Sequence, residues 1–166
     1  MQKVAIMMGS DSDLGIMKAA GEVLEEFGVE YCMRILSAHR TPDQTTAFAK
    51  AAAAEGFGAI IAGAGGAAHL AGVIASETTL PVIAVPILGA SLSGLDSLLS
   101  MVQMPSGIPV ACVGVGAARN AGILAVQILS LSDAALREKM KAYKARMVQQ
   151  VLDKDNRLQQ NGWRNY

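Results

Sequence analysis

Two rhythms alternate along this chain. Short, uniformly apolar runs end at a glycine or proline, and between them apolar residues recur every three or four positions. Val4 to Met8 is such a run, stopped by Gly9, and it predicts a buried strand. Leu14 to Phe27 has helical spacing, with Met17, Ala20, Val23, Leu24 and Phe27 on one side and Gly28 as its stop. The alternation continues with strands at Tyr31–Leu36, Ala59–Ala62, Pro81–Val85 and Pro109–Val113. Helices are expected at 41–55, 69–76, 92–101 and 117–129. Thr41, Pro42 and Gln44 suggest an N-cap, a first-turn proline and a capping box for the second helix. Uniformly apolar strands separated by helices imply one parallel sheet covered on both faces, a three-layer α/β/α sandwich of about five strands.

The last segment departs from this rhythm. Ser132 is placed to cap a long helix over about 133–160, with a stripe of Leu136, Met140, Tyr143, Met147 and Val151. Its basic residues read as a solvated face, not as a nucleic-acid surface. No composition break marks a second domain, so residues 1–166 are expected to form one.

Composition sharpens this reading. Of 166 residues, 52% are hydrophobic and only 17% charged, which excludes a disordered chain; Lys plus Arg equals Asp plus Glu, so no global field favours nucleic acid. From Gly56 to Ala118 the only charged side chains are Glu77 and Asp96, but prolines and glycines divide the span too finely for a membrane helix. A stretch this apolar points to surfaces covered by other copies of the chain. Cys32 and Cys112 fall in apolar runs and read as buried, reduced thiols, and no cysteine–histidine cluster offers a metal site. Met1 to Met8 reads directly as strand rather than signal peptide, so a cytoplasmic location is expected.

In open α/β sheets, ligands sit beyond the carboxyl ends of the strands, which singles out three loops. Gly9-Ser10-Asp11-Ser12-Asp13 offers Ser10 and Ser12 hydroxyls and a helix start for phosphate, with Asp13 suited to ribose hydroxyls. Ordinary helix capping is the competing account. In Ser37-Ala38-His39-Arg40, Arg40 suits bidentate phosphate binding, with Ser37 as a further donor. A sugar phosphate across these two loops brings its base near His39, a side chain suited to moving protons near neutrality. Gly63-Ala64-Gly65-Gly66-Ala67-Ala68-His69 matches a relaxed dinucleotide fingerprint, but it follows the third strand and lacks the ribose-binding acid downstream. Its glycines instead let bare backbone approach a flat ligand. His69 either lines the same pocket or caps its helix. No nucleophile elbow, P-loop lysine or aromatic sandwich for a flavin is present.

Taken together, Met8 to Asp13, Ser37 to Pro42, Ala62 to Leu70, Ser93-Gly94-Leu95-Asp96-Ser97-Leu98 and Val102-Gln103-Met104-Pro105 resemble class I PurE, the N5-carboxyaminoimidazole ribonucleotide (N5-CAIR) mutases of purine biosynthesis. The resemblance runs in order through essentially the whole chain. It implies a flavodoxin-like sandwich, an octamer, and conversion of N5-CAIR to 4-carboxyaminoimidazole ribonucleotide (CAIR) without metal or organic cofactor. His39 then acts as general acid and base around a trapped carbon dioxide. Ser10, Ser12, Asp13, Ser37 and Arg40 match the ligand-binding positions, and Gly65, Gly66, Ala67, His69 and Leu70 complete the expected pocket. The partners implied are a small ribonucleotide, further copies of the chain and transiently the N5-CAIR synthetase. Two segments depart from the family pattern: Ala71 stands where proline is common, and Gly116 to Ala121 is short and lacks a lysine. The rival readings are a direct aminoimidazole ribonucleotide (AIR) carboxylase, for which a lysine after the histidine is usual where this chain has Arg40, and a non-catalytic nucleotide-binding module of the same fold.

Overall fold

Five parallel strands order themselves β2-β1-β3-β4-β5 in a computed structural model that describes residues 2–89 and 91–166. They are β1 (Lys3–Met8), β2 (Tyr31–Ile35), β3 (Phe57–Gly65), β4 (Val82–Ile87) and β5 (Ala111–Cys112). The helices are α1 (Leu14–Phe27), α2 (Pro42–Ala52), α3 (Leu70–Glu77), α4 (Leu95–Val102), α5 (Ala118–Ser130) and α6 (Ala134–Asn161). This strand order is the flavodoxin-like one.

The three inner strands β1, β3 and β4 bury both faces, successive side chains pointing opposite ways into the two layers of helices. Val4, Ile6 and Met8 enter a core shared with α1, α5 and the start of α6. Ala5 and Met7 enter the other core, under α2, α3 and α4. On the first face, α1 and α5 approach closely because Gly122 has no side chain. A Cβ there would lie 2.9 Å from the Ala20 carbonyl oxygen and 3.0 Å from Val23 Cβ.

Several elements differ from expectation for identifiable reasons. β3 extends beyond Ala59–Ala62 because it is central, paired with β1 on one side and β4 on the other. β5 shortens to an edge strand, since Pro109 has no N–H to donate to a ladder. The expected helix from Leu92 begins instead with a 3-10 turn at Leu92–Gly94, where Leu92 and Ser93 have φ of 52° and 50°. The Thr41 capping box does not form. Its hydroxyl accepts from the Ser37 amide at 2.8 Å and donates to the Ser37 carbonyl at 3.1 Å, so it serves the preceding loop. The cap of α6 is Asp133, whose carboxylate accepts the Leu136 amide at 3.0 Å, rather than Ser132. Cys32 and Cys112 are free and half-buried, and burial pushes both thiols upward in pKa.

The long last helix is real, and among the described residues its first half carries the packing onto the core. Leu136 and Met140 are buried, and Tyr143 packs against Phe27 with ring centroids 5.5 Å apart. Lys139 donates to the Phe27 carbonyl at the end of α1, and Glu26 pairs with both Arg119 and Arg146, linking α1, α5 and α6. Beyond this point Met147 and Val151 are exposed: at 1.5 Å rise per residue, the helix outruns the layer it covers. No helix among the described residues is long and apolar enough to cross a membrane.

Candidate active site

The carboxyl ends of β1 and β3 flank the point where strand order reverses, and loops leaving these strands diverge to open a crevice. Here that crevice is a cleft of about 470 Å³. All three loops singled out from the sequence line it, with Leu70 behind them.

The first loop is both a cap and a cleft wall. Ser10 is extended, and its amide donates to Asp13 Oδ2 at 3.2 Å while its hydroxyl accepts the Ser12 amide at 3.4 Å. Ser12 Oγ donates to Asp13 Oδ1 at 3.4 Å. The capping account of this loop therefore holds. It does not displace the ligand account, because Gly9, Ser10, Ser12 and Asp13 all face the cleft. Asp13 is 8% exposed. Burial pushes its pKa up, opposed by the Ser10 amide, the Ser12 hydroxyl and the Arg40 charge. A carboxylate whose folded pKa is raised contributes stability that is fully present below its ordinary pKa and lost as pH rises through the raised value. Asp13→Asn is therefore expected to raise the melting temperature at neutral pH. It should also weaken ribonucleotide binding, since an amide accepts fewer hydrogen bonds than a carboxylate. Thermal melts from pH 4 to 8 and ligand titration check both parts. Unchanged melting across that range would refute the stability part.

The second loop is fastened by Arg40. Its amide and Nε reach Ser37 Oγ at 3.2 and 3.4 Å, and its Nη2 donates to the Gly9 carbonyl. One guanidinium thus ties the loop after β2 to the loop after β1. The fork has five N–H donors, so further ones remain for an anion in the cleft.

The third loop presents mainly backbone. β3 runs to Gly65, and a Cβ there would lie 3.4 Å from the Ile87 carbonyl oxygen. Gly66 has φ 63° and Ala68 φ 34°, so the chain turns sharply here. Ala67 is the exception among the expected site residues. It is exposed and does not line the cleft; the buried Ala68 does.

The two histidines meet. His39 Nε2 lies 2.9 Å from His69 Nδ1, with ring centroids 5.0 Å apart and planes at 74°. His69 precedes α3 but makes no side-chain cap bond, so of its two sequence readings the pocket-lining one fits. A hydrogen bond needs one donor and one acceptor. One facing nitrogen therefore carries the proton and the other does not. The sequence places these residues 30 positions apart, and only the fold shows them touching. Sequence reasoning also missed Ile87, Leu88 and Gly89, which close the cleft after β4. The same strand-end rule that found the other loops would have found this one.

The chain matches the AIR carboxylase family model over residues 3–150. The chain belongs to the AIR carboxylase family. It is 55% identical over 166 residues to a Thermotoga maritima protein named N5-carboxyaminoimidazole ribonucleotide mutase, covering 100% of this chain and 97% of that one. It is 52% identical over 163 residues to a Schizosaccharomyces pombe phosphoribosylaminoimidazole carboxylase, covering 98% of this chain but 30% of that longer protein. Among solved structures, Treponema denticola PurE superimposes with a TM-score of 0.84 at 34% identity, covering 93% of this chain and 97% of that one. The resemblance to PurE read from the motifs is thereby borne out. The two segments where the motif resemblance to class I PurE is incomplete lie off the cleft: Ala71 is buried in α3, and Gly116 to Ala121 turns into α5.

Proposed function

We propose that this protein is an N5-CAIR mutase, converting N5-CAIR to CAIR by decarboxylation and recarboxylation. The observation that carries the reading is the shared cleft. A serine–arginine group suited to a phosphate sits at one end, and a hydrogen-bonded histidine pair sits on its rim. The near-full-length identity to a protein bearing the mutase name supports it.

The phosphate sits with Ser10, Ser12, Ser37 and Arg40, and the ribose hydroxyls donate to Asp13. The imidazole ring then lies towards Gly65, Gly66 and His39. His39 gives a proton to the exocyclic nitrogen as the bond from that nitrogen to the carboxyl carbon breaks, releasing carbon dioxide within the cleft. The ring carbon attacks the carbon dioxide, a carbon–carbon bond forms, and the ring proton returns to His39. Protons balance on this one side chain, so neither metal nor organic cofactor is required. His69 fixes the tautomer and ring plane of His39 by accepting or donating at the facing nitrogen.

Direct carboxylation of AIR is the second reading, favoured by the name of the fission-yeast relative. The two separate on incubation of purified protein with N5-CAIR, and separately with AIR plus bicarbonate. The mutase reading fails if carboxylation of AIR is much faster than turnover of N5-CAIR.

The working form proposed is an octamer in the cytoplasm, with the N5-CAIR synthetase as its transient partner. Leu92, Leu95, Leu99 and Val102 form an exposed apolar stripe at helical spacing, between 46% and 70% accessible, which a second copy would cover. Light scattering should give about eight times the 17.2 kDa chain mass; a monomeric mass would sink this assembly.

A further inference from the structure

The motif Ser93-Gly94-Leu95-Asp96-Ser97-Leu98 contributes no side chain to the cleft, yet it holds a fully buried hydroxyl. Ser97 is 0% exposed, and its Oγ lies 2.9 Å from the Ile87 carbonyl oxygen and 3.0 Å from the Gly94 carbonyl oxygen. Ile87 ends β4, and with Leu88 and Gly89 it forms the cleft wall opposite the first loop. Gly94 ends the 3-10 turn that leads into α4. A single side chain therefore ties the wall to the base of the next helix.

The turn it holds is strained. Leu92 and Ser93 both lie in the left-handed region, which non-glycine residues enter at a cost, and Gly94 follows at φ 84°. A Cβ on Gly94 would lie 2.7 Å from Val115 Cγ1, so the turn is also pressed against the chain leaving β5. Backbone in such regions persists only where its surroundings over-determine it. The Ser97 hydroxyl is one of those determinants.

The wall it holds continues the β3–β4 ladder, whose last register pair is Gly65 and Ile87, and so runs beside the third loop. Gly89, carrying a Cβ, would be 3.9 Å from the Gly66 amide nitrogen, and Gly65 would be 3.4 Å from the Ile87 carbonyl. Two stretches of bare backbone thus abut on the side of the cleft away from the phosphate group. The ladder ends at Gly65 and Ile87, so it does not itself hold Leu88 and Gly89 beside Gly66, and a gap opened there would give carbon dioxide a way out.

We infer that Ser97 is a positioning residue that, through the Ile87 carbonyl, holds the wall past the end of the β3–β4 ladder and keeps Leu88 and Gly89 beside Gly66, so that carbon dioxide stays in the cleft between the two halves of the reaction. The inference rests on the mutase reading. It predicts a partition, not merely a slower enzyme. In Ser97→Ala the nitrogen–carbon bond still breaks and His39 still supplies the proton. A share of the carbon dioxide then leaves before the ring carbon attacks it, leaving AIR in the cleft.

The test gives wild type and Ser97→Ala unlabelled N5-CAIR in ¹³C-bicarbonate with carbonic anhydrase, corrected for non-enzymatic breakdown. Label in CAIR and enzyme-dependent release of AIR are then measured. Wild type should form nearly unlabelled CAIR. Ser97→Ala should release AIR and incorporate label at least ten times more per turnover, with KM changed less than threefold. A merely destabilising substitution would lower the amount of active protein without changing this ratio. If Ser97→Ala does not fold, Ser97→Cys keeps a weaker donor in the same place and should show intermediate leakage. A folded, active Ser97→Ala or Ser97→Cys that retains carbon dioxide as wild type does overturns the inference. A wild type that does not turn over N5-CAIR instead overturns the mutase reading itself.

Discussion

Replacing His39 with asparagine should lower kcat for N5-CAIR by about three powers of ten or more, while ribonucleotide binding changes less than about threefold. The size follows from the role. General acid–base catalysis is worth roughly a hundred- to ten-thousandfold for one proton transfer, and this residue handles two. Binding is spared because the His39 ring bonds to His69 and not to the serine–arginine group that holds the phosphate. Asparagine keeps a polar side chain beside His69 but cannot carry a proton through the cycle. Steady-state rates and a direct binding measurement on the same preparation decide the matter. Wild-type kcat in the variant would remove His39 from the chemistry, and His69, the adjoining titratable ring, would take its place.

The second large effect is expected at Arg40. Arg40→Ala should lower kcat/KM by about a hundredfold, mostly through KM. A hydrogen bond to a charged group contributes about 1.5–3 kcal/mol, and two lost contacts to a phosphate in a partly open cleft give that order of change. The side chain has a second task that adds to the loss. It joins the first and second loops through the Gly9 carbonyl and the Ser37 hydroxyl, so alanine also loosens the seat for the ligand. Arg40→Lys should recover only part of the activity, because an ammonium lacks the planar fork that makes these contacts together. Equal KM values in wild type and Arg40→Ala would place the phosphate elsewhere.

Much of this architecture was legible from local rules. The β–α alternation predicted the layers, and the carboxyl ends of the expected strands predicted where the loops would open. Three of the four loops lining the cleft were found this way. What escaped were features that depend on two distant segments meeting. His39 and His69 are joined only because β2 and β3 flank β1 and their following loops turn towards each other. Thr41 met every local requirement of a capping residue, but its hydroxyl found closer partners in the Ser37 backbone. Ala67 was expected at the site because it sits between residues that are there. A sharp turn gives adjacent residues opposite surroundings, and Ala68 took the place instead. The turn at Leu92–Gly94 had only Gly94 to announce it, and left-handed leucine and serine are legible only with Ser97 and Val115 in view.

The close approach of α1 and α5 at Gly122 reaches further than core packing. α1 carries the Ser10–Asp13 loop at its amino end, so part of the phosphate end of the cleft is moored to the α1–α5–α6 layer. The loops bearing His39, His69 and the Ile87–Gly89 wall lead into α2, α3 and α4 on the other side of the sheet. The anchor therefore spans both layers, with Ser10 and Ser12 on the loop into α1 and Ser37 and Arg40 on the loop into α2, while the reactive end rests on one layer alone. Substitutions under α3 and α4 can retune the chemistry without moving the anchor, which gives one ribonucleotide seat room to host more than one way of placing a carboxyl group.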